Sequence, residues 1–166
     1  MALVADHRYA VSSGRVSPFH SLERMNHLSF RQAEYDFLYF ELLVDGHELG
    51  KLVGFAASIL PYWLIDGDLS IAEPSPAPPD DCDRIVGTCD CGEFGCGGTR
   101  ARVTKTSESV SFSNFTYGVQ PEGKTKVLTF PRCNYEMVLA AMTAVALDFA
   151  AKIEARRNEQ RPSGAD

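Results

Sequence analysis

The stretch NYEMVLAAMTAVALDFAAKIEAR, residues 134–156, decides the fold class of this chain. Within it Tyr135, Val138, Leu139, Met142, Val145, Ala146, Phe149 and Ile153 recur at three- and four-residue intervals. That spacing lines one face of an α-helix. Asn134 stands where an N-cap belongs. Glu136 falls in the first turn and Arg156 and Arg157 in the last, which complements the helix dipole. A tail over 158–166, with Pro162, Ser163 and Gly164, reads as frayed and flexible.

Upstream, the patterns are mostly those of strands. Residues 35–44, YDFLYFELLV, carry apolar groups on both alternating faces and predict a central strand covered on both sides. Asp45-Gly46 ends it with a turn dipeptide. Two continuations compete: a hairpin into residues 48–53, or a short helix near residues 48–60 on the spacing of Leu49, Leu52, Val53 and Ala56. The helix is favoured, with Pro61 ending it. Tyr62–Ile65 reads as a short strand or an apolar loop. Residues 99–106 and 109–117 alternate as a hairpin, and residues 126–130 add a third short strand. Tyr9–Ser13 and Leu28–Phe30 are weaker strand candidates.

Strand and helix signals are segregated, not interleaved. The expectation is an α+β fold: a mostly antiparallel sheet with the long C-terminal helix packed on one face. Residues 1–157 form a single domain, which at this size buries a core without staples. The segment 73–81, with four prolines in six positions, reads as an exposed loop.

That loop leads into the region richest in chemistry. Four of the five cysteines, Cys82, Cys89, Cys91 and Cys96, fall within fifteen residues, framed by Gly87, Gly92, Gly95, Gly97 and Gly98. Three readings stand side by side. Cys89, Cys91 and Cys96 are candidate zinc ligands, with Cys82 or Cys133, or a distant histidine such as His20, His27 or His47, as the fourth. The Cys-x-Cys spacing departs from the usual Cys-x2-Cys knuckle. Alternatively Cys91 or Cys96 is the thiol of an enzyme or redox sensor, and the two could close a small disulfide loop. Asp90 and Glu93 disfavour a thiolate there. In the blandest reading the cysteines only fill a tight turn before a buried strand.

The run from Ile85 to Val103 resembles a motif of small bacterial proteins without an established activity, which carry a CxCGExGC-type segment followed by two strands and an apolar helix opening near a tyrosine. The matching positions are Cys89, Cys91, Gly92, Gly95 and Cys96, then Val110–Phe115, Phe130 and Tyr135. Ser111 and Ser113 depart from that pattern, where a tryptophan is common. The resemblance implies a bacterial cytosolic origin and brings no activity with it.

Composition narrows the remaining classes. A formal net charge of −6 argues against a broad nucleic-acid interface. No apolar run approaches the ~18–20 residues that span a bilayer. The first residues lack a secretory pattern, and an odd cysteine count then points to a cytoplasmic, reducing compartment. The histidines are scattered, Tyr35–Phe40 and Trp63 read as core, and no phosphate-binding loop or nucleophile elbow is present. The expectation is a soluble bacterial cytosolic protein that binds another protein and carries a structural, zinc-bound or simply packed, cysteine turn. A homodimer through Leu60–Ile65 is a further option.

Overall fold

The computed structural model describes residues 25–34, 37–55, 59–65, 69, 80–89, 97–118 and 126–160. The expected strand at Tyr9–Ser13 lies outside them. Strand β1 (Leu28–Glu34) pairs with β2 (Leu38–Val44), and β2 turns through Asp45-Gly46 into the two-residue β3 (His47–Glu48). Asp45 and Gly46 have φ of 51° and 81°, the left-handed pair that a two-residue hairpin turn needs. Helix α1 (Leu49–Val53) follows and stops at Gly54, whose φ is 75°. Both competing continuations are therefore realised, each over a shorter span.

The helix does not reach residue 60. Ile59–Pro61 forms β4 against β2, and Tyr62–Leu64 is a single 3-10 turn. The helical spacing of apolar residues lost because Gly54 accepts the left-handed geometry that closes a helix, and a sheet edge was available for what followed.

Strands β5 (Asp81–Thr88), β6 (Gly98–Lys105), β7 (Ser109–Tyr117) and β8 (Leu128–Pro131) continue an antiparallel meander in the order β1-β2-β4-β5-β6-β7-β8. The sheet curls until its ends nearly meet. The Asn26 amide donates to the Thr129 carbonyl at 2.7 Å, and the Thr129 amide donates to Asn26 Oδ1 at 3.3 Å.

Helix α2 (Arg132–Glu159) packs on the inner face of this sheet. At about 1.5 Å per residue it is roughly 42 Å long. Tyr135, Val138, Leu139, Met142 and Ala146 are buried, as the periodicity predicts. They meet Leu28, Phe40, Leu42, Phe112, Phe115 and Phe130 in one core. Phe112 sits edge-on to Phe130 and Tyr135 at 5.1 and 5.9 Å, the packing aromatic pairs prefer.

Asn134 is not the N-cap. The helix begins two residues earlier, at Arg132, where the Arg132 amide donates to the Glu108 carbonyl. Asn134 is buried and bridges to β1: the Leu28 amide donates to its Oδ1 at 2.7 Å, and its Nδ2 donates to the Leu28 carbonyl at 2.9 Å. At the other end the helix runs through Asn158 and Glu159, inside the span expected to be tail.

Two local departures matter. In β7, strict alternation would put Asn114 inside and Phe115 outside. Instead Asn114 adopts φ 49°, the pairing with β6 shifts register, and Phe115 is fully buried. An asparagine tolerates that left-handed bulge. Strand β2 is buried on one face and half-buried on the other, so it is central but not sealed on both sides.

Candidate functional site

Two places concentrate features beyond those the fold requires. The first is the cysteine turn. Strand β5 enters it at Thr88 and β6 leaves it at Gly98, and the Cys89 amide donates to the Gly97 carbonyl at 3.3 Å. A Cβ built on Gly98 would lie 2.9 Å from the Gly87 carbonyl oxygen, so the strands approach this closely only because position 98 is glycine. Gly97, with φ 113°, lies under the ring of Tyr117, which stacks on Phe55 at 5.7 Å. The Thr88 hydroxyl donates to the Ile59 carbonyl at 2.8 Å and ties the turn to β4.

Cys89 is disulfide-bonded, to a partner outside the described residues, while Cys82 and Cys133 are in no disulfide. Cys91 and Cys96 lie outside the described residues. Cys82 is buried within β5, paired with Val103, and seven residues along an extended strand put its Cα roughly 20 Å from that of Cys89. Cys133 is exposed in the first turn of α2, beside the Thr106–Ser109 turn at the opposite end of β6 from Gly98. A tetrahedral zinc site holds its ligands ~2.3 Å from one ion. Both fourth-ligand candidates are thus remote from Cys89. Among the described residues no three His, Cys, Asp or Glu side chains cluster as a metal site.

The second place holds Phe37, Tyr39 and Trp63, whose residue types alone point to the core. Trp63 and Phe37 are 48% and 42% exposed. The 3-10 turn explains why: Leu64 and Ile65 go inward, the Ile65 amide donates to the Tyr62 carbonyl, and Trp63 is left facing out. Phe37, Tyr39 and Tyr62 ring it edge-on, at centroid distances of 5.7, 6.5 and 5.2 Å. Tyr62 in turn meets Phe149 of α2 at 5.1 Å. The backing is rigid, because β4 pairs Pro61 with Tyr39 and Leu60 with Phe40.

A charged strip borders these rings. Tyr39 and Glu41 point to the same outer face of β2. Arg31, opposite Glu41 in the ladder, bonds both Glu41 and Glu48, and Lys51 closes on Glu48 at 2.7 Å. The Glu41 carboxylate raises the pKa of Arg31, and the Lys51 ammonium lowers that of Glu48. The other resolved shifts also come from surface ion pairs: Arg102 lowers Asp81, and Glu136 raises Arg132. No sequence motif marks the aromatic site. Its signal was an apolar run, Tyr62–Ile65, too short to be a helix and next to a turn.

No family model, no curated protein and no solved structure matches this chain. No helix among the described residues is long and apolar enough to cross a membrane.

Proposed function

We propose that this chain is a binding protein that captures another protein through the aromatic face of Phe37, Tyr39, Tyr62 and Trp63. The observation that carries the reading is the half-exposed Trp63, ringed by three aromatic side chains on a rigid backing and bordered by the Arg31–Glu41–Glu48–Lys51 strip. An apolar aromatic centre with a polar rim is how protein interfaces are built, and Trp and Tyr dominate their energetic centres. Leaving a tryptophan and a phenylalanine half in water forfeits part of the ~1.5–3 kcal/mol that burying such a side chain is worth. A partner recovers it. The net charge of −6 supports a protein partner over a nucleic acid.

In this reading the cysteine turn is structural. It holds the β5–β6 hairpin as the Cys89 disulfide or, in the reduced chain, as thiolate ligands of a zinc ion drawn from Cys89, Cys91 and Cys96. The CxCGExGC-type run supports a bacterial, cytoplasmic protein. The disulfide at Cys89 favours a second reading, a redox sensor in which Cys91 or Cys96 exchanges with Cys89, since disulfides in a reducing compartment are mostly transient.

The test is co-purification from the native host. Tagged wild type retains a specific protein that Trp63→Ala and Phe37→Ala lose while remaining folded. Equal retention by all three would remove the aromatic reading. Native mass spectrometry of the reduced chain, with and without chelator, separates the two forms of the turn: one chelatable zinc per chain supports the metal form, and none supports the disulfide form.

A further inference from the structure

Strand β1 has one edge that the fold leaves open. The Leu28 amide and carbonyl both bond the Asn134 carboxamide, so they point away from β2. The His27 carbonyl points the other way and accepts from the Asp45 amide. Antiparallel ladders alternate these directions, so the amides and carbonyls of Phe30, Gln32 and Glu34 also point away from β2. Among the described residues nothing bonds those of Phe30 and Gln32. Helix α2 closes the edge only at Leu28, and by Phe149 it has crossed to Tyr62. Strand β1 also lacks devices that commonly blunt an edge: it has no proline, no lysine and no bulge in its register with β2.

We propose that this edge pairs with the same edge of a second copy, β1 against β1, antiparallel about a two-fold axis at Gln32. This goes beyond the aromatic reading and does not depend on it. Open amides and carbonyls two residues apart along a strand are complementary to another extended strand. What selects a second copy is that the edge complements itself in one register. An axis at Phe30 would set Gln32 against Leu28, whose backbone groups Asn134 already holds. An axis at Arg31 would face two guanidiniums directly across the ladder, and like charges so placed are destabilising. An axis at Ala33 or Glu34 would leave Phe30 facing residues beyond the end of the strand.

The axis at Gln32 sets Phe30 against Glu34 and Gln32 against itself, each pair exchanging two backbone hydrogen bonds. The Gln32 side chain is exposed, and its carboxamide both donates and accepts, so the two pair reciprocally across the axis. Arg31 faces Ala33 and keeps its bonds to Glu41 and Glu48. An open groove of about 400 Å³ between Gln32 and Ala144, Val145 and Phe149 of α2 leaves room beside the edge for the added strand. The contact is isologous, as two-fold dimers require. One short strand from each copy makes a smaller contact than the roughly 800 Å² per partner of a standard interface, so the dimer is reversible and concentration-dependent. The two outer faces join in one sheet, and the dimer presents both aromatic sites on the same side.

The experiment is sedimentation velocity of the full chain from low micromolar to millimolar concentration, with circular dichroism as the check on folding. The expected result is a shift from monomer to dimer that Gln32→Lys and Gln32→Pro each abolish. Gln32→Lys sets two ammonium groups together at the axis, and Gln32→Pro removes an amide that bonds nothing within the described chain, a change an edge strand tolerates. If the proline variant unfolds, Gln32→Lys decides alone. In a Cys133→Ser background, Gln32→Cys should cross-link into a covalent dimer under mild oxidation and Arg31→Cys should not, because facing residues of a hydrogen-bonded pair stand about 5.5 Å apart, within disulfide reach. A monomer at every concentration overturns the proposal, as does a dimer that survives substitution of Gln32. A dimer lost in Trp63→Ala overturns it in favour of the aromatic face. Cross-linking through Arg31→Cys but not Gln32→Cys refutes the register.

Discussion

Asn134→Ala should be among the costliest single changes in this protein. Asn134 is buried, and its carboxamide satisfies both the amide and the carbonyl of Leu28, itself 1% exposed. Leu28 opens the edge strand β1, so neither group has a second strand to turn to on that side. Truncation removes two hydrogen bonds and strands two buried backbone groups, each at ~1–3 kcal/mol, for a loss of about 3 kcal/mol. For a chain of this size that corresponds to a fall in Tm of roughly 6–12 °C.

Thermal and urea unfolding read the loss directly, and Asn134→Asp sharpens it. The carboxylate so introduced still accepts from the Leu28 amide but repels the Leu28 carbonyl, so only its protonated form reproduces the bridge. Its folded pKa is therefore raised above the unfolded value. The stability it confers is present at low pH and lost as pH rises through the folded pKa. A Tm for Asn134→Ala within about 2 °C of wild type, less than the ~1 kcal/mol of one ordinary hydrogen bond, would refute the idea that this bridge fastens α2 to β1.

Four further outcomes follow from the same geometry. Gly98→Ala should unpair the base of the cysteine turn, because its Cβ meets the Gly87 carbonyl at 2.9 Å; faster amide exchange at Thr88 and Thr99 reports it, and unchanged exchange contradicts it. Phe112→Ala should cost about 3–5 kcal/mol by urea unfolding, as expected for a fully buried ring with two aromatic neighbours. Asp81 has its pKa lowered by the hydrogen bond from Arg102, so its stabilisation is present above the ordinary carboxylate pKa and fades as pH falls through the lowered value. The Tm difference between wild type and Asp81→Asn should accordingly be largest near neutrality and close in acid; a pH-independent difference would count against it. Alkylation of native, non-reduced protein should label Cys133 quickly, Cys82 only on unfolding, and Cys89 only after reduction.

Long periodic segments were legible from the sequence. The stripe from Tyr135 to Ile153 repeats often enough that no competing period survives, and the β6–β7 hairpin shows in its alternation. What was not legible depended on tertiary partners. Asn134 at the head of a stripe reads as a cap until β1 is seen to offer Leu28 as a partner. Ile59–Pro61 continues an apolar helical pattern, yet β2 had an open edge for it. Strand β5 lacks a clean strand pattern, because a register shift between Ile85 and Gly87 breaks its alternation and its second half is buried on both faces. Phe115 changed sides through one left-handed residue.

The candidate sites divide the same way. The cysteine turn is visible as composition, but the strand length that carries Cys82 away from Cys89 is not. Trp63 has the residue type of a core position, and only the 3-10 turn after Pro61 aims it at solvent. Its exposure is a property of the turn and not of the residue.

Trp63 is the sole tryptophan of the chain, so the central claim has a built-in reporter. The decisive measurement is acrylamide quenching of Trp63 emission, free and in complex with the tryptophan-free segment of the co-purified partner that binds the chain. The account predicts strong quenching in the free chain, protection and a blue shift in the complex, and loss of binding in Phe37→Ala. Equal quenching in both states, with the complex intact in Phe37→Ala, would contradict it.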